Sequence, residues 1–245
     1  MGATMFMLLA ACAGLVRGYS GFGFAMILAL GLLSARPPVE VIPVVLLLDL
    51  LCSASLWSRA LREMHGRLMV RLAAGMWVAV PLGVLGLSWV SGEWLAPAIA
   101  LLCLIGAVLV LRQPQALIVA AEPSLPAAFW AGLGSGLATA LASAGGPPLM
   151  LYLLRCGLQP RVLRATAIVF FAASSATALL GMGVFGLLGT AHLHLAATLL
   201  LPALAGNLLG QWLQPRWQPF SLHRLVGVLL VALSALSLCN SLLKL

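Results

Sequence analysis

Long apolar runs separated by short polar connections fill most of the chain. Six runs have the length of about 17 to 25 residues that a helix needs to cross a membrane. These runs are 39–57, 68–90, 94–111, 165–188, 193–213 and 225–243. Their length and continuity predict an all-α polytopic membrane protein.

Two further apolar runs, 4–33 and 125–154, are too long for one straight span. A helix of about 30 residues would extend about 45 Å, whereas the hydrocarbon core is about 30 Å thick. Glycine-rich breaks interrupt both runs, and their sequences are Gly14-Leu-Val-Arg-Gly18-Tyr-Ser-Gly21-Phe-Gly23-Phe-Ala and Gly136-Leu-Ala-Thr-Ala-Leu-Ala-Ser143-Ala-Gly145-Gly146-Pro147-Pro148. We expect each run to be steeply tilted or broken into two half-helices. A break at membrane depth must be buried in protein or line a cavity, so both breaks are candidate sites.

The two broken runs begin the two halves of a predicted repeat. A shift of 122 residues pairs Gly14 with Gly136 and Gly23 with Gly145. The same shift pairs Leu15 with Leu137, Pro38 with Pro160, and Ser53-Ala54 with Ser175-Ala176. Because three plain spans follow each broken run, we predict a first repeat at 1–122 and a second at 123–245.

The basic residues in the connections and at the ends of the runs indicate how the halves are oriented. If all eight runs cross the membrane once, six basic residues fall on each side, which violates the positive-inside rule. If each broken run enters and leaves on the same side, ten fall inside and only Arg36 and Lys244 fall outside. Each half is then a broken or re-entrant helical segment followed by three transmembrane helices, and the two repeats are inverted. Eight simple crossings in two parallel halves remain the alternative.

Composition excludes several other classes of protein. Hydrophobic residues make up 63% of the 245 residues and charged residues 7%, against about 25% charged residues in soluble domains. The net charge of +8 comes from scattered arginines, which indicate membrane topology rather than a nucleic-acid surface. Five scattered cysteines and the pair His192 and His194 lack the spacing of a metal site. The sequence contains no nucleophile, base or metal motif of an enzyme, so we expect neither catalysis nor a cofactor.

Both breaks resemble the signatures of the sulfite exporter TauE/SafE family of bacterial inner-membrane proteins. The end of the first break, Gly21-Phe-Gly23-Phe, is similar to the motif of the family's first repeat. The segment Ala144-Gly145-Gly146-Pro147-Pro148 is similar to the second motif, Gly-x-Gly-Gly-Pro-Pro. Two departures lie in the second break, where Ser143 stands in place of the usual glycine and Ala140 matches Gly18.

The resemblance implies a secondary transporter, an exporter or a permease, in the lipid bilayer of the bacterial inner membrane. Sulfite, organosulfonates and other small anions are the substrates that it implies, with transport coupled to an ion gradient. The proton is the candidate coupling ion, although the sequence does not identify it. A passive anion channel is the alternative function. The oligomeric state does not follow from the sequence.

Backbone groups at the two breaks suit an oxyanion. The N-terminus of a half-helix carries unsatisfied N–H groups and a partial positive charge. Glycine lets the backbone approach a ligand, and proline suits the first helical turn. Gly18, Gly21, Gly23, Gly145 and Gly146 are therefore candidate substrate-binding residues. Tight helix packing is the alternative role for these glycines.

Arg17 and Asp49 are the charged residues that lie deep inside predicted runs, away from their ends. The guanidinium of Arg17 could bind an oxyanion through two parallel hydrogen bonds, or it could snorkel to a surface or have a structural partner. Asp49 is a candidate proton-coupling carboxylate, and the alternatives are an ion pair with Arg17 or neither role.

Four neutral polar residues could line the same site. Thr139 and Ser143 lie near the second break, whereas Asn207 and Gln211 lie in the run 193–213. Hydrogen bonding between helices is the alternative role for each of them.

Overall fold

The computed structural model describes residues 3–89, 92–112, 124–214, 216 and 222–242, and the helices in these ranges confirm the prediction of an all-α protein. The eleven described helices are α1 (Ala3–Ser20), α2 (Phe24–Leu33), α3 (Pro38–Ala54), α4 (Trp57–Glu63), α5 (Gly66–Trp89), α6 (Gly92–Leu111), α7 (Leu125–Ala142), α8 (Gly146–Arg155), α9 (Pro160–Val184), α10 (Thr190–Leu213) and α11 (Leu222–Leu242). Within the described ranges, four helices have the length and composition to span a membrane, or five if the bent pair α3–α4 is one span. The predicted boundary between residues 122 and 123, the end of the run at residue 90, and Lys244 lie outside these ranges.

Both long runs are broken where the glycine-rich sequences predict. Residues 21–23 separate α1 from α2, and residues 143–145 separate α7 from α8. In the first break Gly21 and Gly23 have φ values of 85° and 92°, which glycine adopts without steric cost. In the second break the left-handed residue is Ser143, with a φ of 52°. Each run therefore forms two helices joined by a short turn, and the alternative of one tilted helix is wrong.

The run 39–57 is not one straight helix, contrary to the prediction. α3 ends at Ala54, and α4 follows at an angle of 74°. Arg59, which was expected in a loop, lies on α4 and forms an ion pair with Glu63 at 3.5 Å. Arg161 of α9 contacts the same carboxylate at 3.5 Å, so α4 is also held to α9. Hydropathy cannot detect this bend because α4 mixes apolar and charged residues.

The other plain spans correspond to α5, α6, α9, α10 and α11, with ends that differ from the apolar runs. α9 begins at Pro160 rather than at residue 165, because proline fits the first turn of a helix and Arg161 and Arg164 extend that helix beyond its apolar part. α9 ends at Val184 rather than at residue 188, where the chain turns through Gly186 with a φ of 68°.

Helices of one half pack against helices of the other. α1 lies along α10, and α7 lies along α5. A Cβ atom at Gly14 would lie 2.2 Å from the Ala203 carbonyl oxygen, and one at Gly132 would lie 2.0 Å from that of Leu72. Small residues thus bring the backbones together, as they do in membrane bundles. α3 also packs against α9. Within this arrangement the residues of both breaks, 21–23 and 143–145, are buried in the protein.

Candidate functional site

A cavity lies between the two breaks, where α1, α2, α3, α7, α8 and α9 meet. It contains about 320 Å³ of empty space, part of which is open to its surroundings. The residues that line it come from both halves: Arg17, Gly23, Ala25, Met26, Leu46, Asp49, Thr139, Ser143, Gly145, Gly146, Phe171 and Ser175. The part of this space that the centre of a water-sized sphere can occupy is about 20 Å³, which is room for about one water-sized group, so the lining rather than the volume makes the cavity a candidate site.

A buried ion pair forms one side of the cavity. Arg17 lies in the last turn of α1 and is only 1% exposed, so it does not snorkel to a surface. Its Nη1 donates to Asp49 Oδ1, and its Nη2 donates to Ser53 Oγ. Ser175 Oγ donates to Asp49 Oδ2 at 2.9 Å. Pairing with Arg17, one of the alternatives for Asp49, is therefore the geometry observed.

Two polar atoms at the cavity have no hydrogen-bond partner among the described residues. One is Arg17 Nε, and the other is Ser143 Oγ. Both side chains are almost fully buried, at 1% and 2% exposed, and both residues line the cavity. A buried polar group that lacks a partner costs about 1–3 kcal/mol, so this arrangement favours a ligand that supplies one.

The first break is held both by Arg164 of α9 and by Ser20 at the end of α1. Arg164 of α9 donates through Nη2 to the Gly18 carbonyl oxygen at 2.6 Å. Ser20 Oγ donates to the carbonyl oxygens of Val16 and Phe22, at 2.7 and 2.8 Å. The turn is thus fixed by the other half of the chain as well as by its own residues.

The second break is held by α7 itself. Ser135 Oγ donates to the Gly145 carbonyl oxygen at 2.5 Å, and Thr139 Oγ1 donates to the Ser135 carbonyl oxygen at 2.8 Å. A Cβ atom at Gly145 would lie 2.0 Å from Thr139 Oγ1, so only glycine fits this position. Ala144 N donates to the Ala138 carbonyl oxygen at 3.0 Å and closes the turn.

Both half-helices begin at the cavity. Gly23 is the residue before α2, and Gly146 is the first residue of α8. The N–H groups in the first turn of a helix have no partner within the helix and carry a partial positive charge. Pro147 and Pro148 have no N–H, so α8 offers fewer such donors than α2.

Most of the candidate residues from the sequence meet at this cavity. Those that line it are Arg17, Gly23, Asp49, Thr139, Ser143, Gly145 and Gly146. Gly18 and Gly21 lie outside the lining, where a Cβ atom would lie 2.0 Å from the Asn207 carbonyl oxygen and 2.8 Å from Arg164 Cγ, respectively. Their place in the fold agrees with the packing alternative.

Asn207 also lies outside the lining, at the bend between α3 and α4. Its Nδ2 donates to the Cys52 carbonyl oxygen and to Ser55 Oγ, both at 3.0 Å. Gln211 Nε2 donates to the same Ser55 Oγ at 2.9 Å. The two amides of α10 therefore satisfy polar groups at the C-terminal end of α3.

Sequence reasoning missed several lining residues, including Ser175 and Phe171. The repeat contained a signal for Ser175, because the shift of 122 residues pairs it with Ser53. The structure places these two serines on the same ion pair, Ser53 on Arg17 and Ser175 on Asp49. Nothing in the local sequence distinguishes Phe171 from an ordinary apolar residue of α9.

Comparison with known proteins supplies independent information. The chain matches the family model described as Sulfite exporter TauE/SafE over residues 6–237. It is also 27% identical over 223 residues to a protein of Cupriavidus necator named Probable sulfite/organosulfonate exporter TauE. This match covers 88% of this chain and 86% of the relative. No solved structure matches the chain.

Proposed function

Because the chain belongs to the sulfite exporter TauE/SafE family, whose members are transporters and not enzymes, we propose that this multi-pass membrane protein is a secondary transporter of small oxyanions. The proposed substrates are sulfite and organosulfonates, and the proposed location is the bacterial inner membrane. The observation that carries the proposal is the pair of buried, unpartnered polar atoms, Arg17 Nε and Ser143 Oγ, at one cavity between the two breaks.

The donors around the cavity suit an oxyanion. A guanidinium has five N–H donors, and the two that contact Asp49 and Ser53 leave Arg17 Nε available. We propose that oxygens of the anion accept hydrogen bonds from Arg17 Nε, from Ser143 Oγ and from backbone N–H groups that begin α2 and α8. Donors on three sides would replace part of the anion's hydration shell.

The retained candidate residues follow from this geometry. For substrate binding they are Arg17, Gly23, Thr139, Ser143, Gly145 and Gly146. We assign supporting roles to Gly18, Gly21 and Asn207, because their contacts are with neighbouring helices and not with the cavity.

Charge balance supports a coupling role for Asp49. The charges of Arg17 and Asp49 cancel, so an added anion would leave the buried cavity with a net negative charge. Such a charge is costly away from water. For a singly charged anion, such as a sulfonate or hydrogen sulfite, a proton bound by Asp49 would restore neutrality, and we therefore propose the proton as the coupling ion.

Two inverted repeats, 1–122 and 123–245, are the proposed architecture. The packing between the halves supports it. The first helix of the first half, α1, lies along α10 of the second half, and the first helix of the second half, α7, lies along the corresponding helix of the first half, α5. The lining supports it too, because a shift of 122 residues relates Arg17 to Thr139, Gly23 to Gly145 and Asp49 to Phe171. A site between related residues is typical of transporters built from inverted repeats.

Flux into proteoliposomes tests the proposal. Radiolabelled sulfite, methanesulfonate and acetate would be compared with and without an imposed proton gradient, and protein-free liposomes would measure passive leakage of sulfur dioxide. We expect saturable uptake that accumulates sulfite or the sulfonate above equilibrium and excludes acetate. Flux that only equilibrates would support the passive channel instead, and absence of flux for both sulfur oxyanions would refute the proposed substrates.

A further inference from the structure

We propose that Ser135 is a positioning residue that orients the peptide between Gly145 and Gly146 for anion binding. The inference rests on the proposed function, because it assigns a role in the same cavity. Ser135 itself does not line that cavity.

The hydrogen bond of Ser135 is unusual for a serine inside a helix. Serine and threonine in helices commonly donate to the carbonyl oxygen four residues earlier, and Thr139 does so with Ser135. Ser135 instead donates across the break to the Gly145 carbonyl oxygen at 2.5 Å, while its side chain is completely buried. This bond joins the body of α7 to the residue that precedes α8.

The hydrogen bond from Ser135 to the Gly145 carbonyl oxygen also fixes the direction of the Gly146 N–H group. The described chain has no cis peptide bond, so the carbonyl oxygen of Gly145 and the N–H of Gly146 point in opposite directions from one peptide plane. Because Ser135 holds the oxygen towards α7, the N–H is turned away from α7. Gly145 and Gly146 both line the cavity, so this peptide borders the space in which we propose that the anion binds.

The role of this one N–H is enhanced by the sequence that follows it. Pro147 and Pro148 cannot donate, so Gly146 carries the sole N–H among the first three residues of α8. Gly145 lies close to α7, since a Cβ atom there would meet Thr139 Oγ1 at 2.0 Å and the Ser135 carbonyl oxygen at 2.7 Å. Loss of the Ser135 hydroxyl would free the carbonyl oxygen and, with it, the donor.

The first half lacks this device. The residue related to Ser135 by the shift of 122 residues is Ala13, which has no hydroxyl. There the break is held by Ser20 and by Arg164 of α9. The role of Ser135 is therefore confined to the second break.

The test measures binding of radiolabelled sulfite to purified protein, together with the KM and maximal rate of uptake. Ser135→Ala is expected to weaken binding about tenfold and to raise KM by a similar factor, with the maximal rate changed little. Ser135→Thr, which retains a hydroxyl, is expected to recover most of the affinity. The matched control is Ser174→Ala, because Ser174 is also fully buried but its Oγ has no partner in the described part of the chain.

The outcomes separate the two proposals. Wild-type protein that binds neither sulfite nor methanesulfonate would overturn the proposed function and this inference together. Wild-type binding with the same affinity in Ser135→Ala and Ser174→Ala would overturn the role of Ser135 alone, as would a lower maximal rate at unchanged KM. If Ser135→Ala does not fold, Ser135→Cys fills the position with a slightly larger side chain that is a weaker donor, and unchanged affinity in that variant would also overturn the role of Ser135.

Discussion

The two halves contribute different chemistry to the same cavity. Arg17 and Asp49 supply a cation and an anion from the first half, whereas the positions related to them by a shift of 122 residues hold Thr139 and Phe171. The second half instead provides neutral hydroxyl groups, including Ser143 and Ser175. We infer that the first half supplies the charged groups of the site, and that the second half supplies neutral groups that shape it and orient the ligand.

The two breaks also differ in what holds them. Arg164 of the second half fixes the first break through the Gly18 carbonyl oxygen, so that break depends on contact between the halves. The second break is instead fixed by Ser135 and Thr139 of α7, the helix that leads into it. A movement of one half against the other would therefore break a hydrogen bond at the first break but neither of those two that hold the second.

Replacing Arg17 is expected to have the largest effect, because it removes the charge that only the first half provides. Arg17→Gln would leave Asp49 buried without its cation, which typically costs about 3–5 kcal/mol. We expect little folded protein in detergent by size-exclusion chromatography. The double variant Arg17→Gln/Asp49→Asn is expected to recover folded protein while binding of radiolabelled sulfite stays lost.

Arg36→Gln is the matched control for this experiment. Arg36 pairs with Glu40 at 2.9 Å, but both side chains are nearly half exposed, so the pair contributes about 0–1 kcal/mol. Folding and binding should both persist. Normal sulfite affinity in the double variant would contradict the proposed role of Arg17.

Asp49→Asn tests whether the acid of the first half couples transport to protons. The amide can still accept a hydrogen bond but cannot exchange a proton near neutral pH. The variant also leaves Arg17 buried without its anion, which typically costs about 3–5 kcal/mol, so only folded protein from size-exclusion chromatography is reconstituted. We expect sulfite accumulation driven by a proton gradient to fall to equilibrium, while sulfite counterflow continues in the same proteoliposomes. Glu40→Gln, on the exposed end of α3, should leave both activities unchanged. Accumulation that survives in Asp49→Asn would assign coupling elsewhere.

Alanine at Gly145 and at Gly23 separates the reasons for glycine in the two breaks. In Gly145→Ala the added Cβ meets Thr139 Oγ1 at 2.0 Å, and overpacking of this kind costs about 1–3 kcal/mol. Adding Thr139→Ala should recover part of the stability, as measured by thermal unfolding in detergent. Gly23→Ala should cost about 1–2 kcal/mol through its φ of 92°, and Thr139→Ala should not rescue it.

Gly134→Ala provides the control on α7. The nearest atom to its added Cβ, a Pro148 carbon, is 4.0 Å away, so the methyl group fits. Alanine is about 1 kcal/mol more favourable than glycine within a helix. Destabilisation by Gly134→Ala as large as that by Gly145→Ala would show that the clash is not the cause.

Ser143 gives the smallest expected effect and distinguishes strain from ligand contact. Ser143→Gly should stabilise the protein by about 1 kcal/mol, because glycine tolerates a left-handed φ of 52°. Both Ser143→Gly and Ser143→Ala should weaken sulfite binding about threefold to tenfold, since each removes the hydroxyl donor. Unaltered affinity in both variants would remove Ser143 from the site.

The sequence predicted the helices and their breaks well, because the signals for both lie in the residues that form them. Apolar length identified the spans, and glycine-rich segments located both breaks, since glycine and the apolar runs affect the backbone where they occur. The bend between α3 and α4 was missed because its contacts are with residues far away in the sequence. It depends on contacts of Glu63 with Arg161 and of Ser55 with Asn207, more than 90 residues away in each case.

The sequence by itself determined the class of protein, the two breaks and the candidates around them, because composition and glycine placement leave few structures that satisfy the backbone in a membrane. Only the tertiary structure decided which contacts several of the polar residues make. It paired Arg17 with Asp49, moved Asn207 to the end of α3, and brought Ser135 to the Gly145 carbonyl oxygen. Each of these contacts depends on directions and distances between helices, which side-chain identity alone does not specify.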